Sequence, residues 1–510
     1  MNVNLRNKLR ACKRRLEKRL DKTDISGEAP MISASNIKYE LADRTHAICA
    51  GGIGMIHQMV KRLGLDEAIN RHLNVFKLYL PYSESDHILN MAYNVLAGGT
   101  CIEHLELRRN DEAYLDALGA RRIPDPTTAG DFCRRLDPLR IHILQQIFNE
   151  MRVRVWQQQP ASFLEEAILD ADGSMVETTG ECKQGIDINH EGKWGYHPLV
   201  ISLANTGETL FLANRSGNRP SHENADFYFD QSIDVCRKAG FRKILLRGDT
   251  DFSQTQHLDR WDAAGVHFIF GIDAMANLYA LAENLPQSAW KRLRRPARYE
   301  VKTEPRGRPE NVKERIVEER EFENIRLVAE YVAEFEYQPV KCAKSYRVIV
   351  VKKHLEVTRG QQKLFDKSTC FFYITNGTEK TPAEIVFKAN GRCNQENVIE
   401  QHKNGVHALS APLDNLESNW AYMVITALAW SLKAWAALLV PVNPHWSEKH
   451  EREKQTLLRM DFSTFRQALI NIPAQIVRTG RRIIYRLLGW NAWTDVFFRL
   501  TESMTYPLRH

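Results

Sequence analysis

In the middle of the chain, apolar and polar residues alternate over several short runs, which is the pattern of half-buried β-strands. The predicted strands are residues 167–174, 197–204, 209–215, 243–246 and 267–271. An Asn-Thr-Gly turn at 205–207 joins the second strand to the third. Helical spacing predicts two helices, residues 225–239 and 254–264. The predicted order is therefore β-β-β-α-β-α-β.

This order is typical of a ribonuclease H-like fold, so we expect an α/β protein built on a mixed sheet of that type. Alternation at 331–337, with further strands at 347–353 and 369–376, predicts a β-rich insertion in the core. The regions before and after the core are predicted to be mainly helical. The predicted divisions are a basic helix and linker at 1–35, a helical region at 36–160, the first part of the core at 161–285, the insertion at 286–375, the closing core helices at 376–440 and a helical C-terminal region at 441–510.

Two features of the first 160 residues bear on contact with a polyanion. Residues 3–22 combine leucines at helical spacing with many Lys and Arg residues, which indicates either a solvated tail or an arm that contacts phosphates. Farther along, a helix that ends at the Gly-Gly pair 98–99 precedes a capped helix that carries Arg134 and Arg135. A helix, a turn with glycine and a basic helix resemble a helix-turn-helix, so we expect residues 36–160 to bind DNA.

Residues 421–440 are almost wholly apolar and are long enough to span a bilayer. Lys433 would then lie inside the hydrocarbon region, where a charge is costly. The tryptophans of this stretch, Trp430 and Trp435, lie within it and not at its ends. We therefore predict a buried core helix and no membrane span.

Composition restricts the class of protein only mildly. The 510 residues include 70 Lys and Arg against 63 Asp and Glu, for a net charge of +7. This excess is too small to prove nucleic-acid binding without knowing where the charge lies. The nine cysteines form no CxxC pair, which is typical of a reducing cytoplasm, and no secretory signal is expected at the N-terminus.

Residues 389–403 contain the densest arrangement of candidate chemistry. The Asn-Gly pair 390–391 predicts a helix end or turn, and the residues after it suit a helix. Arg392, Glu396 and Lys403 then recur on one helical face. The ordinary alternative is a solvated helix with i,i+4 ion pairs.

Two other acids could meet Glu396. Asp172 lies in the first predicted strand, and Asp249 follows the strand at 243–246, at the carboxyl end where open sheets place their sites. Three carboxylates at one point repel one another unless a cation is present, and oxygen ligands without Cys or His favour Mg²⁺. Two such ions could activate a water or a 3′-hydroxyl against a phosphodiester, with Arg392 and Lys403 on the phosphate.

The last acid lies in a motif of a known family. The chain resembles the DDE transposases of bacterial insertion sequences, in the group with a Tyr-x2-Arg-x3-Glu-x6-Lys signature. Arg392-x3-Glu396-x6-Lys403 keeps the spacing of this signature, and Ala389 stands where its tyrosine would be.

The first two acids resemble the same family. Asp172-Gly173-Ser174 is similar to its Asp-x-Ser/Thr strand, and residues 248–252, Gly-Asp-Thr-Asp-Phe, are similar to its Gly-Asp-Ser/Thr-x-Phe turn. The resemblance covers roughly residues 40–500.

The resemblance implies a ribonuclease H-like core and a metal-dependent catalytic triad, Asp172, Asp249 and Glu396. It implies two Mg²⁺ ions, with Mn²⁺ as a substitute, and cut-and-paste transposition, with hairpin ends as in relatives that carry this insertion. The expected partners are the terminal inverted repeats and target DNA, bound by a homodimer in the bacterial cytoplasm at the nucleoid.

The residues leave alternatives open. Asp170 shares a strand face with Asp172, Asp251 lies beside Asp249, and Glu400 lies one turn after Glu396. A DNA-binding protein without catalysis and a structure-selective nuclease on the same fold are the other functions that these residues allow.

Overall fold

The computed structural model describes residues 3–20, 34, 37–40, 45–76, 81–295, 311–360, 362–480 and 482–506. The predicted linker after the first helix lies almost wholly outside these residues, as does the basic Arg-Gly-Arg-Pro motif at 306–309.

The N-terminal region is helical, apart from the two-residue strand β1, Ala47–Ile48. Its helices are α1 Val3–Leu20, α2 Ile53–Leu63, α3 Leu65–His72, α4 Glu84–Leu96, α5 Leu105–Arg109, α6 Glu112–Leu118, α7 Pro126–Arg134 and α8 Pro138–Trp156. Local sequence fixes several of their starts. Ser83 and Asp86 form a capping box on α4, while Asp125 and Asp137 cap α7 and α8 immediately before a proline.

The expected helix-turn-helix is wrong in its simple form. The two helices proposed for it, α4 and α7, are separated by α5, α6 and a short 3₁₀ turn, and not by a tight turn. The capping signals predicted each helix correctly, but they carry no information on what lies between the two helices.

The central region alternates strands and helices. Its elements are β2 Glu166–Gly173, β3 Val176–Glu177, β4 Asp187–Ile188, β5 Trp194–Tyr196, β6 Leu199–Leu203, β7 Glu208–Ala213, α9 Ala225–Ala239, β8 Lys243–Gly248, α10 Leu258–Ala263, β9 His267–Ile272 and α11 Ala276–Glu283. β3, β4 and β5 form a small separate sheet, and the others belong to the main sheet.

The core strands are arranged in the order β7-β6-β2-β8-β9. β2, β8 and β9 run parallel, whereas β6 and β7 form an antiparallel hairpin beside β2. This is the ribonuclease H-like arrangement, so the predicted fold class is confirmed.

The inserted strands continue the same sheet. The elements of the insertion are β10 Lys291–Arg292, α12 Val312–Glu319, β11 Glu323–Tyr337, β12 Tyr346–Arg359 and β13 Gln362–Thr375. β13 pairs antiparallel with β9, which gives a sheet of nine strands. Residues 291–295, Lys-Arg-Leu-Arg-Arg, form a basic stretch before β11, and Arg295 at its end makes a bidentate ion pair with Glu330, at 2.5 and 2.8 Å.

The remaining elements close the core and form the C-terminal region. They are α13 Pro382–Asn390, α14 Cys393–Glu400, α15 Leu416–Leu438, α16 Ser447–Arg459, α17 Phe462–Phe465, β14 Ala474–Arg478, β15 Ile483–Leu487 and α18 Thr494–Ser503. α14 continues directly into a π-helical turn, Gln401–Gly405.

α15 is the helix predicted at 421–440, and it is buried as expected. By length and composition it is the one helix of the described residues that could cross a membrane, but its most apolar stretch is completely buried inside the protein. Lys433 donates a hydrogen bond to the Leu458 carbonyl at 2.8 Å, and burial lowers the pKa of its ammonium to about 7. Its charge is also placed 3.9 Å from the centre of the Trp430 ring.

The C-terminal region is not wholly helical, contrary to the prediction. β14 and β15 form an antiparallel hairpin, and β14 also pairs with β1. Ile476, Val477, Ile483 and Ile484 supply the β-branched residues that favour strands. Because β1 lies more than 400 residues earlier in the chain, this three-stranded sheet could not be predicted from local pattern.

Candidate active site

The first two candidate acids lie at the carboxyl ends of neighbouring parallel strands, as the sequence predicted. β2 pairs with β8 so that Asp170 is opposite Arg247, which places Asp172 and Asp249 beyond the last pairs at the same edge of the sheet. Burial raises the pKa of Asp172 to about 6 and also raises the pKa of Asp249. Asp249 raises the pKa of Asp172 further by repulsion between the carboxylates.

The turn after β8 explains its sequence motif. Asp249 caps the short 3₁₀ turn Thr250–Phe252 by accepting a hydrogen bond from the Asp251 backbone N–H at 3.1 Å. Phe252 anchors the turn in the core, where it is 1 % exposed. A Cβ on Gly248 would lie 2.5 Å from the Phe252 Cβ, so only glycine permits this approach. Asp251 points outward and is exposed.

Arg392 joins the two acids. One of its guanidinium nitrogens, Nη1, lies 3.2 Å from Asp172 Oδ2 and 3.7 Å from Asp249 Oδ2. Arg392 comes from the turn between α13 and α14, where α13 ends at Asn390 as the Asn-Gly signal predicted. Its positive charge lowers the pKa of both acids, in opposition to burial.

Glu396 approaches from the first turn of α14 and is exposed. Its charge contributes to the raised pKa of Asp172, so it belongs to the same electrostatic cluster. α14 is held on the sheet by the buried Gln395, which donates to the Val200 carbonyl of β6 at 3.0 Å and contacts Ser202.

The structure distinguishes Asp172 from its neighbour Asp170. Asp170 is 1 % exposed and receives two hydrogen bonds from Arg247, at 2.7 and 2.6 Å. Arg247 also donates to the Lys388 carbonyl at 2.6 Å, and a Cβ on Gly391 would lie 2.5 Å from its Nη1. Asp170 and Arg247 therefore fasten α13 to the sheet beneath the site. This role of Arg247 was not predicted, although two acids two residues apart on one strand were a signal for a buried cation.

Lys403 does not join the cluster. It lies in the π-helical turn, and its charged neighbours are Glu400, Glu177 and Lys193. The wider turn shifts the helical register after Glu400, so the face predicted to carry both Arg392 and Lys403 is interrupted. His402 occupies the inward position, where it is fully buried. Its Nε2 shares a hydrogen bond of 3.0 Å with Thr209 Oγ1. Glu400 accepts a hydrogen bond from the Asn404 side-chain amide at 2.6 Å.

The two predicted DNA-binding arginines lie at the C-terminal end of α7, Arg134 as its last residue and Arg135 directly after it. Arg134 forms ion pairs at 2.9 Å with Asp131 and with Asp414 in the loop before α15. Arg135 is exposed, with its guanidinium 5.8 Å from the centre of the Phe76 ring.

A cavity of about 390 Å³ opens beside Asp249 and Arg392. Aromatic residues form much of its wall, including Tyr279, Phe371 and Tyr373. An aromatic and cationic wall beside clustered carboxylates suits a ligand with both apolar and anionic parts, as a nucleotide has.

The donor set fits a hard divalent cation in its chemistry, because all three candidate ligands are carboxylates whose repulsion a cation would relieve. Within the described ranges, no three Asp, Glu, His or Cys side chains are grouped closely enough to bind a metal ion as they stand. Arg392 is the cation between Asp172 and Asp249 in this arrangement. A metal ion at this position would therefore replace Arg392 as the partner of the acids.

The fold and this cluster define an α/β protein with acids on the ribonuclease H-like core, and comparison with known proteins gives its family. The family described as "Transposase DDE domain group 1" matches residues 34–506, and the chain belongs to that family. No curated protein matches significantly.

Among solved structures, one match is the cryo-EM structure of a piggyBac transposase synaptic complex with hairpin DNA. The identity is 11 %, the TM-score is 0.36, and the match covers 82 % of this chain and 81 % of the other.

Proposed function

We propose that this chain is the transposase of a bacterial insertion sequence, which binds the terminal inverted repeats of its element and catalyses metal-dependent cleavage and strand transfer. The observation that carries the proposal is the meeting of Asp172 and Asp249 at adjacent strand ends, on either side of Arg392. Family membership gives this cluster its chemical context. Cut-and-paste transposition by a homodimer at the nucleoid is the form of the reaction that we propose.

In this proposal, Asp172, Asp249 and Glu396 hold divalent metal, with Mg²⁺ as the physiological ion and Mn²⁺ as a substitute. The bound metal would activate the attacking oxygen and stabilise the leaving oxygen at the scissile phosphodiester. Arg392 would then exchange its carboxylate partners for the DNA phosphate, because the N–H donors of a guanidinium match the paired oxygens of a carboxylate and of a phosphate alike. Because the acids are partly buried, a divalent cation would interact with their oxygens more strongly than it would in water.

The proposal is tested with a duplex that carries the inverted repeats flanking the gene, compared with a scrambled duplex of the same length. We expect cleavage at the end of the repeat with Mg²⁺ or Mn²⁺, and no cleavage after chelation with EDTA. Restoration by added Mg²⁺ controls for damage to the protein. Cleavage of branched DNA without regard to the repeat would instead indicate a structure-selective nuclease. Binding without cleavage under all metal conditions would contradict the enzymatic proposal.

Arg392 and the α7 arginines are expected to separate chemistry from affinity. Arg392→Ala should slow single-turnover cleavage of bound DNA more than it weakens binding, because a cation at the reacting phosphate is worth most in the transition state. The double variant Arg134→Ala/Arg135→Ala should mainly weaken binding and reduce the log–log salt slope by roughly one unit for each lost phosphate contact.

Salt titrations of binding, paired with single-turnover cleavage, measure both effects. Lys403→Ala is a useful comparison because Lys403 lies apart from the acids, near Glu400 and Glu177. If the Arg392 variant lost affinity but cut bound DNA at the normal rate, Arg392 would only dock DNA, and the proposed role would be wrong.

A further inference from the structure

The N-terminal helix α1 contains the whole formal charge excess of the chain. It has eight basic residues and a single acid, Glu17, within 18 residues. Removing them from the chain's 70 basic and 63 acidic residues leaves 62 of each, so the net charge of +7 lies on this helix. Its basic residues are exposed: Arg6, Lys8, Arg10, Lys13, Arg14, Arg15, Lys18 and Arg19. Among the described residues, its one ion pair joins Lys13 to Glu17 at 3.6 Å, and an exposed pair of this kind neutralises little.

This helix is docked on the C-terminal region. Leu5 and Leu9 are half-buried, and Leu9 faces a groove of about 610 Å³ whose opposite wall includes Trp446 and Trp490. The Lys13 ammonium lies 5.3 Å from the centre of the Trp490 ring, a cation–π contact between the two walls. The groove and this contact therefore place α1 beside the C-terminal region, with its cations exposed to solvent.

Docking changes what a basic amphipathic helix can bind. Such a helix in isolation suits an anionic membrane, where its leucines enter the lipid. Here Leu9 faces the groove and Leu5 is half-buried, so neither side chain is fully exposed for insertion into lipid. What remains outward is a ridge of positive charge from Arg6 to Arg19, about 20 Å long at 1.5 Å per residue. Duplex DNA has about one negative charge per 1.7 Å of its axis, so a ridge of this length can lie along several phosphates.

We propose that α1, docked on the C-terminal region, binds the backbone of duplex DNA at phosphates other than the scissile one. The proposal rests on the proposed function, and it adds to Arg134 and Arg135 a second phosphate-contacting surface, remote in sequence from both α7 and the acids. Because the contacts are to phosphate, the affinity that α1 contributes is independent of base sequence and strongly dependent on salt.

The test is the variant Arg14→Gln/Arg15→Gln/Arg19→Gln in the full-length protein. None of these three residues lines the groove, and glutamine preserves helix propensity, so docking and folding should persist. The expected result is a salt slope of DNA binding that is lower by roughly two to three units, with affinity weaker by at least about tenfold at 0.15 M salt. Single-turnover cleavage by saturating protein should be unchanged.

The matched control is Arg121→Gln/Lys238→Gln/Lys380→Gln, which removes the same charge from three exposed and scattered positions. An equal loss of affinity in this control would overturn the proposal, because net charge and not the ridge would be responsible. An unchanged salt slope in the α1 variant would also overturn it. So would a wild-type protein that binds anionic lipid vesicles together with an α1 variant that does not, because α1 would then be a membrane-binding helix. If the wild-type protein bound DNA with this slope but never cut it, the proposed function would fail while the α1 inference stood.

Discussion

Asp172→Asn, Asp249→Asn and Glu396→Gln are each expected to reduce strand cleavage by more than about a hundredfold. Mutation of a residue that only hydrogen-bonds to a metal ligand typically lowers metal affinity or activity by roughly 10–100-fold. The three residues changed here are the proposed ligands themselves, so a larger loss is expected. Affinity for DNA should be equal or slightly tighter, because each change removes a negative charge from a surface that approaches phosphate. Cleavage is measured in single turnover on an end-containing duplex with Mg²⁺, and affinity is measured without metal.

The neighbouring acids supply matched controls for these three variants. Asp251→Asn and Glu400→Gln make the same chemical changes at exposed positions, and both should cut at near the normal rate. Asp170→Asn should instead lower stability, because it leaves Arg247 buried without its anion. A triad variant that cuts normally, or a control that does not cut, would show that the acids have been assigned wrongly.

The second large effect is expected on stability. Glu208, the first residue of β7, is 0 % exposed and joins three elements. Its carboxylate accepts hydrogen bonds from Arg152 Nε at 3.0 Å, Trp156 Nε1 at 2.8 Å and Trp435 Nε1 at 2.9 Å. Glu208→Ala would leave the Arg152 guanidinium buried without a counterion, which costs about 3–5 kcal/mol. The free energy of unfolding of a protein is only about 5–15 kcal/mol, so this loss would remove a large part of the stability of the folded state.

Urea unfolding of the Glu208 variant measures this loss. Glu165→Ala is the control, because its pair with Arg242 at 2.8 Å is exposed and should contribute less than about 1 kcal/mol. If Glu208→Ala does not fold, the double variant Arg152→Met/Glu208→Gln should recover much of the stability, since it leaves no unpaired charge and keeps an acceptor for the indoles. A loss below about 1 kcal/mol in the single variant would show that the pair is not needed for stability.

Local chemistry made much of the candidate site predictable. The Gly-Asp-Thr-x-Phe motif specifies its own turn, because Gly248 must meet Phe252 and Asp249 caps the turn between them. The Asn-Gly signal ended α13 immediately before Arg392. The alternation of apolar residues predicted the core strands, and their order predicted the sheet. In each case the signal and the structure that it specifies lie within a few residues, or within one βα unit.

Where long-range contacts decided the outcome, the sequence left alternatives or led to an error. Only the pairing of β2 with β8 placed Arg247 against Asp170, which distinguishes it from Asp172. The π-helical turn moved Lys403 away from Arg392, and no local pattern marked it because His402 is buried by tertiary packing. The helix-turn-helix failed because capping signals mark helix ends without fixing which helices are neighbours.

By itself, the sequence determined the core strands and helices, the predicted class of the fold and the motifs of the three acids, because periodicity and turn chemistry are local. The tertiary structure decided which acids share one cation, where the basic α1 helix is docked and how the C-terminal hairpin joins β1. These features depend on residues that lie hundreds of positions apart in the chain and meet only after the core has folded. Burial and charge then act between groups that no local pattern connects.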